Sequence, residues 1–185
     1  MQDYHEFLSE ILITEDQLRQ RIAELGAEIS HDYQGNVLHL VCILRGGVLF
    51  LGDLMRQLTV PNTIDFMAVS SYGVGARQST GQVRISLDLK EDISDRHVLL
   101  VEDIVDSGYT IATVMEFLAT RHPASLKVCT LLDKEERRET FVPIHYCGFK
   151  IPDKFVFGYG LDIDELYRNL PFIGAVDPIR YRPPK

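Results

Sequence analysis

The chain has 185 residues and a formal net charge of −8, and 45% of its residues are hydrophobic while 25% are charged. These values fit one folded domain over residues 1–185, whose core needs neither disulfides nor a structural metal, and they argue against a disordered chain. The acidic balance argues against a nucleic-acid partner. Since neither a signal-like start nor a long apolar run is present, we also expect no membrane partner and a cytoplasmic location.

The cysteines and histidines show no metal-binding pattern. Cys42, Cys129 and Cys147 are far apart in apolar, strand-like surroundings, and the six histidines form no HxxxH pair. We therefore expect reduced, buried cysteines and no structural zinc.

The first helix signal begins at a capping box. Thr14 to Gln17 has the required spacing, and the helix that follows carries Leu18, Ile22, Leu25 and Ile29 on one face. This face predicts a scaffold helix that packs on the core.

A strand, a glycine loop and a helix follow. The strand signal is the apolar run VLHLVCIL at residues 37–44, and the helical pattern covers Val48 to Leu58. The loop between them contains Arg45, Gly46 and Gly47, and taken alone it also fits a tight turn with a solvated arginine.

Two more strand-like segments are TIDFMAVSSY at residues 63–72 and VRISLDL at residues 83–89. The segment between them, GVGARQSTG, is rich in glycine and small polar residues. It fits either a mobile lid over a site or an ordinary hairpin loop.

The stretch from His97 to Arg121 repeats the order of strand, loop and helix. Its four apolar residues from Val98 to Val101 ignore the alternation of a half-exposed strand and predict a central parallel strand that is covered on both faces. A helical pattern begins at Ile111. Because the carboxyl ends of parallel strands meet at one edge of a sheet, this loop and the loop at Arg45 should face the same crevice.

The residues between this strand and its helix combine acids with groups that bind anions. They include, in chain order, Glu102, Asp103, Asp106, Ser107, Gly108 and Thr110. The unpaired amides at a helix start bind phosphate, and acids beside them are tolerated when the ligand brings hydroxyls and a divalent cation. A phosphorylated sugar with Mg²⁺ meets both conditions; the alternative is an acidic, solvated turn.

A further buried strand is predicted at residues 126–133, LKVCTLLD. The next residue, Lys134, either points into the same crevice or covers the charged segment KEERRE. Short strands are predicted at Pro143 to Gly148 and at Lys154 to Gly160.

The end of the chain has weaker signals. Leu166 to Leu170 fits a short helix that Asp162 would cap, with Arg168 near its end. The tail from Pro171 has several prolines and no clear period, so we expect it to lie across the surface.

Together these segments resemble the purine phosphoribosyltransferases, specifically the bacterial hypoxanthine (hypoxanthine-guanine) type. The likeness runs from about Leu12 to about Asp177. It rests on VLLVEDIVDSGYT as the phosphoribosyl pyrophosphate signature, LRGG as the pyrophosphate loop, SSYG and QSTG as the catalytic loop, and LLDK and IPDKFVFGYGLD as the purine segments.

The resemblance implies an α/β protein with the type I phosphoribosyltransferase fold, in which helices flank a central, mostly parallel twisted sheet that carries a small hood. The implied reaction converts hypoxanthine or guanine and phosphoribosyl pyrophosphate into the nucleoside monophosphate, IMP or GMP, and pyrophosphate. Mg²⁺, a homodimer or homotetramer and a cis peptide between Leu44 and Arg45 are implied as well.

The resemblance also implies roles for individual residues. Phosphoribosyl pyrophosphate would contact Leu44, Arg45, Gly46, Gly47, Glu102, Asp103, Ile104, Asp106, Ser107, Gly108, Tyr109, Thr110 and Arg168. The purine would contact Ile104, Lys134, Lys154, Phe155, Val156 and Asp162. Metal ligands would be Glu102, Asp103 and Asp162, and the catalytic residues would be Asp106 as general base, Arg45 at the leaving group, and Ser71 and Tyr72 closing over the reaction.

Two of these residues would decide base selectivity. Lys134 would donate a hydrogen bond to the exocyclic O6, whereas the amino group of adenine at that position could not accept one. Phe155 would stack on the base. Without the resemblance, Phe155 reads as a core residue and Asp106 as a structural carboxylate. Tyr109 stands at a variable position of the phosphate loop, where its ring would alter access.

Other functions fit parts of the pattern. A xanthine-preferring transferase would also use Lys134, because xanthine carries O6. A non-catalytic regulator with the same fold would bind the same ligands without turnover, and a phosphoacceptor receiver domain would share the acid pair, but it normally carries that pair near the chain start.

Overall fold

The computed structural model describes residues 2–71 and 83–183. Its strands are β1 (Leu8–Ile13), β2 (Leu38–Leu44), β3 (Asn62–Ser71), β4 (Val83–Leu87), β5 (His97–Val105), β6 (Ser125–Asp133), β7 (Ile144–Lys150), β8 (Val156–Phe157) and β9 (Ile173–Val176). Its α-helices are α1 (Glu15–Asp32), α2 (Val48–Gln57) and α3 (Tyr109–Ala119), and short 3₁₀ turns cover Tyr4–Glu6 and Glu135–Arg137.

The central sheet has six strands in the order β4-β3-β2-β5-β6-β7. All neighbours are parallel except β4, which runs antiparallel to β3 at one edge. β2 and β5 lie side by side in the middle, and their apolar runs are buried because both faces of the sheet are covered. The predicted α/β fold with a mostly parallel central sheet is confirmed.

Alternate residues of the central strands point into two different apolar layers. Leu40 and Leu99 pack with α1 and α2 on one face of the sheet, whereas Val41 and Leu100 pack with α3 on the other face. The helices therefore flank the sheet on both faces. The loops that follow β2, β5 and β6 lie at the carboxyl edge of the sheet.

A small three-stranded antiparallel sheet, with the order β1-β9-β8, forms the expected hood. Its own core contains Phe7, Phe157, Ile163 and Leu170. The expectation that the tail from Pro171 only lies across the surface was wrong, because β9 is the central strand of this sheet.

The predicted short helix at Leu166 to Leu170 was also wrong. Asp164, Glu165 and Tyr167 adopt positive φ values of 51°, 66° and 67°, and a bridge joins Ile163 to Leu166 instead. Left-handed residues interrupt a helix, so this segment is a sequence of tight turns.

The predicted capping box and the expected unpaired cysteines are confirmed. Thr14 and Gln17 form the capping box of α1, and Cys42, Cys129 and Cys147 are free thiols, two of them buried and Cys147 partly buried. Within the described residues, no helix combines the length and the apolar character that crossing a bilayer requires.

Candidate functional site

Two helices begin in glycine turns at the carboxyl edge of the sheet. Gly47 precedes α2 and Gly108 precedes α3, and neither helix has a side-chain cap at its start. The Val48 amide donates to the Arg45 carbonyl at 3.4 Å, but no side chain competes for the next amides of either helix start. Since β2 and β5 are parallel neighbours, both helix starts open onto one crevice. The predicted convergence of the two loops is confirmed by this geometry.

Two loops and the end of β5 meet so closely in this crevice that two positions require glycine. A Cβ atom on Gly46 would lie 1.5 Å from Oδ2 of Asp103, and a Cβ atom on Gly160 would lie 2.1 Å from the carbonyl oxygen of Gly46. The peptide between Leu44 and Arg45 is cis, as expected. The loop at Arg45 is thus held between the acid pair of β5 and the turn after β8.

The loop before α3 is fixed from the other side. Gly108 has φ +93°, and a Cβ atom there would lie 2.9 Å from Val142. The Ser107 carbonyl oxygen accepts hydrogen bonds from the amides of Glu139 (3.0 Å) and Thr140 (3.2 Å). The segment after Lys134 therefore supports the candidate phosphate loop, while Tyr109 and Thr110 form the first turn of α3.

The acid pair at the end of β5 lies in a poorly solvated position. Glu102 is buried with Oε2 unpartnered, and burial, with a smaller contribution from Asp103, raises the pKa of Glu102 well above its ordinary value. Burial also raises the pKa of Asp103 to about 6, Asp162 adds to this effect, and Arg168 opposes it. Both carboxyls are ready to be paired by hydroxyls or by a cation.

Two arginines converge at the mouth of the crevice on one carboxylate. Glu165 accepts from Arg45 at 2.8 Å and from Arg168 at 3.1 Å, through the same oxygen, Oε2. Arg168 also donates to the Gly160 carbonyl (2.7 Å) and pairs with Asp162 (2.9 Å). The guanidinium groups predicted for pyrophosphate are thus brought together, and an acid occupies the place between them.

At the opposite end, Lys134 extends from the end of β6 toward two carboxylates. Its side chain is 8% exposed, and Nζ lies 3.8 Å from both Asp106 and Asp153. Arg137 binds the same two acids, Asp106 at 3.1 Å and Asp153 at 3.5 Å. The interpretation that Lys134 only covers the segment KEERRE does not fit this geometry.

The other predicted purine contacts differ in their exposure and in the direction of their side chains. Phe155 is 59% exposed, so its ring is free to serve as a platform and it is not a core residue. Ile104 is half-buried on β5 and Val156 is buried on β8. Lys154 turns away and pairs with Glu10 on β1, so its side chain is not directed at the crevice.

The catalytic loop is described only at its start. Ser71 is the last residue of β3 and pairs with Val83 of β4. Tyr72 and the segment that contains QSTG lie outside the described residues.

The carboxylates fit a magnesium ion that arrives with its ligand. Among the residues that the structure describes, no three His, Cys, Asp or Glu side chains are grouped closely enough to hold a metal alone. Asp103 and Asp162 are close enough to influence each other's charge, and one or two carboxylates plus substrate phosphates are the usual magnesium environment.

The comparisons with known proteins agree with this geometry. The chain matches the model of the phosphoribosyl transferase domain over residues 11–164. The chain belongs to the phosphoribosyl transferase family. It is 49% identical to the hypoxanthine-guanine phosphoribosyltransferase of Mycobacterium avium over 181 residues, covering 95% of this chain and 89% of that protein. It is 50% identical to the hypoxanthine phosphoribosyltransferase of Escherichia coli (strain K12) over 169 residues, covering 90% and 94%.

A solved structure supports the same assignment. The crystal structure of a hypoxanthine phosphoribosyltransferase from Staphylococcus aureus is 46% identical, with a TM-score of 0.92 and coverage of 97% of each chain. The expected family and the expected fold of this phosphoribosyltransferase are therefore confirmed.

Three charged residues of this phosphoribosyltransferase site were not singled out from the sequence: Asp153, Arg137 and Glu165. Arg137 lies in the run KEERRE, which reads as a solvated surface, and Glu165 directly precedes the segment Leu166 to Leu170 that fits a short helix. The sequence carries one signal for each residue: Asp153 lies inside the quoted purine segment IPDKFVFGYGLD, Arg137 follows Lys134 by three positions, and Glu165 follows Asp162 by three positions.

Proposed function

We propose that this protein transfers a phosphoribosyl group from phosphoribosyl pyrophosphate to hypoxanthine or guanine, releasing pyrophosphate and forming IMP or GMP. The observation that carries the proposal is the convergence, at one sheet edge, of two helix starts without side-chain caps, an acid pair whose Glu102 is buried, and a buried lysine. The similarity to hypoxanthine-guanine phosphoribosyltransferases over nearly the whole chain supports it.

Arg45 and Arg168 bind the pyrophosphate leaving group. When the bond between the ribose carbon and pyrophosphate breaks, negative charge grows on the leaving group. The two guanidinium groups and the first amides of α2 are positioned to stabilise it. Mg²⁺, bound through the pyrophosphate and held by Asp103 and Asp162, would add charge neutralisation at the same oxygens.

Residues of β5 and of the start of α3 bind the phosphoribosyl group. Glu102 and Asp103 accept hydrogen bonds from the ribose hydroxyls, which would give the unpartnered Oε2 of Glu102 a donor. The 5′-phosphate takes the amides of residues 107–110, where no side-chain cap competes.

Lys134, Phe155 and Asp106 contact the purine base. Lys134 donates to O6 of the purine, and the exposed ring of Phe155 stacks on it. The purine loses a proton as its nitrogen bonds to the ribose carbon, and Asp106 accepts that proton. The Lys134 ammonium needs an acceptor, and the O6 atom of a 6-oxopurine supplies one. The exocyclic amino group of adenine would instead present hydrogen atoms to Lys134, so we expect a preference for 6-oxopurines.

We also propose that residues 1–185 form one such domain and that the chain assembles as a homodimer or homotetramer. The exposed apolar side chains of Val48 and Leu49 on α2 support an assembled state, since a second copy would cover them. Light scattering coupled to size-exclusion chromatography measures the mass in solution.

Monophosphate formation from hypoxanthine, guanine, xanthine and adenine, with and without Mg²⁺, tests the activity. We expect turnover with hypoxanthine or guanine that depends on Mg²⁺ and little turnover with adenine. Adenine as the best substrate would overturn the role of Lys134, and xanthine as the best substrate would favour the xanthine enzyme. A lack of turnover with all four bases, together with tight RNA or DNA binding, would favour a regulator.

A further inference from the structure

Four charged side chains from three neighbouring loops form a closed ring beside the proposed purine site. The carboxylates of Asp106, after β5, and Asp153, after β7, flank Lys134, which follows β6. Arg137, in the 3₁₀ turn after Lys134, contacts both of these carboxylates. Two acids therefore face two cations.

The two cations are not equivalent. The Arg137 guanidinium lies within hydrogen-bond reach of both acids, at 3.1 Å from Asp106 and 3.5 Å from Asp153. Lys134 Nζ stays 3.8 Å from each, which is beyond a hydrogen bond. In the described parts of the chain this ammonium donates no hydrogen bond, although its side chain is only 8% exposed.

The chemistry of the two side chains explains this division. A guanidinium presents five donors in a planar fork, so a single Arg137 bridges two carboxylates, whereas an ammonium is a compact point charge. Backbone bonds hold the arrangement, since the Lys134 amide donates to the Val105 carbonyl and the Arg137 amide donates to the Lys134 carbonyl, both at 3.0 Å.

We propose that Arg137 is a positioning residue for base recognition: it binds Asp106 and Asp153 so that the protons of Lys134 remain available for the purine O6. This inference rests on the proposed function of the site. The Arg137 side chain is about half exposed, and it acts through Lys134 and Asp106 without contacting the base.

Removing the guanidinium leaves two carboxylates with one shared cation. Asp106 and Asp153 are 43% and 48% exposed, whereas the Lys134 side chain is only 8% exposed. Because these acids are then the charged partners within its reach, the Lys134 ammonium is drawn onto them, Asp106 included. Both partners of the purine, the O6 donor and the proton acceptor Asp106, become engaged with each other. The pyrophosphate end is unaffected, because Arg45 and Arg168 have their own partners.

The experiment compares Arg137→Gln, Arg137→Lys and a charge-matched control, Arg96→Gln, whose guanidinium pairs with Glu91 at 3.8 Å before β5. We expect Arg137→Gln to raise KM for hypoxanthine about tenfold, the loss expected for one charged hydrogen bond, and to leave KM for phosphoribosyl pyrophosphate unchanged. Arg137→Lys should recover part of the loss, and Arg96→Gln should match the wild type. Thermal unfolding checks that all variants remain folded.

A double-mutant cycle with Lys134→Gln separates positioning from a merely structural role. If Arg137 acts through Lys134, the double variant loses no more than Lys134→Gln alone. An unchanged KM for hypoxanthine in Arg137→Gln, equal losses for both substrates, or additive losses in the cycle would overturn the inference. A wild type without transferase turnover would instead refute the proposed function itself.

Discussion

Glu165 shows how one side chain prepares a binding site before the ligand arrives. Its Oε2 atom accepts from both Arg45 and Arg168, so a carboxylate stands where the pyrophosphate is proposed to bind. The Arg45–Glu165 pair is 70% and 60% exposed, and exposed pairs contribute little to stability. The contact therefore keeps the two arginines together and is easily displaced.

Replacing Glu165 by Gln should tighten binding of the anion. Glutamine keeps the size and the hydrogen-bond acceptor but removes the competing charge, so KM for phosphoribosyl pyrophosphate should fall about two- to fivefold. Calorimetry with magnesium pyrophosphate at low and high salt measures the same effect. Glu15→Gln is the matched control, because Glu15 pairs with Arg19 at 2.9 Å with similar exposure. A weaker affinity in Glu165→Gln would mean that the carboxylate only holds the arginines.

The partly buried carboxyl of Asp103 leads to a prediction about pH. Its pKa is about 6 in the folded protein against an ordinary 3.8, so the folded state binds the proton more tightly than the unfolded chain. The carboxylate therefore destabilises the folded state above pH 6, and this cost disappears as the pH falls from about 6 toward 4.

Asp103→Asn removes the charge but keeps an oxygen that accepts from the Ile104 amide. Without ligand, we expect this variant to be more stable than the wild type at pH 8, by about 1–3 kcal/mol, and the difference to shrink below pH 5. Urea unfolding at several pH values measures it, with Asp95→Asn at the amino edge of the sheet as a control for the loss of one carboxyl. A difference that does not vary with pH would contradict the assignment.

At the scale of elements, the turn after β8 determines the shape of the pyrophosphate loop. Gly160 has φ +97°, and a Cβ atom there would lie 2.1 Å from the Gly46 carbonyl oxygen. Gly35 has a similar φ of +80° but no atom within 4 Å of its Cβ position. The two glycines thus share the conformational demand and differ only in the close approach.

Gly160→Ala and Gly35→Ala should therefore separate strain from site geometry. Both should lose about 1–2 kcal/mol of stability from a left-handed alanine. Only Gly160→Ala should displace residues 45–47 and raise KM for phosphoribosyl pyrophosphate tenfold or more. Steady-state kinetics and urea unfolding of both variants measure these effects. Equal KM values in the two variants would show that the turn does not support the loop.

The elements that were predictable from the sequence carry their signal locally. β2 and β5 are continuous apolar runs followed by glycine and a helical period, and Thr14 to Gln17 is a complete capping box. β1 shows no clean apolar alternation because three consecutive residues of the strand are exposed, and its pairing with β9 joins segments more than 150 positions apart in the chain. Pairing over that distance leaves no local period.

The same distinction applies to the site. Residues of the phosphate loop and the acid pair were predictable because they sit next to a strong strand and helix. Glu165 and Arg137 owe their positions to tertiary contacts, to Arg45 across 120 positions and to Asp106 across 31. Charged residues in turns look like solvated surface until the fold brings their partners to them.

At the scale of the whole molecule, one sheet separates two apolar layers. Ile29 of α1 lies in the layer with α2, and Ile111 of α3 lies in the layer on the opposite face, and both are fully or almost fully buried. The strands between them belong to both layers. The molecule should therefore unfold in one transition, although side chains on opposite faces share few neighbours.

Ile29→Val and Ile111→Val test this arrangement. Each deletes one buried methylene and should cost about 0.5–1.5 kcal/mol, and the double variant should lose their sum to within about 0.5 kcal/mol. Val37→Ala, at a position that is 58% exposed, is the control and should change stability by less than about 0.5 kcal/mol. Urea unfolding, followed by circular dichroism and by tyrosine fluorescence, measures the four variants and the wild type. Coincident curves with additive losses are expected, because the shared strands couple the layers into one unit while the sheet keeps the two isoleucines apart. A coupling energy above about 1 kcal/mol would show that the two isoleucines are not independent. Two separate transitions would show that the shared strands do not join the two layers into one unit.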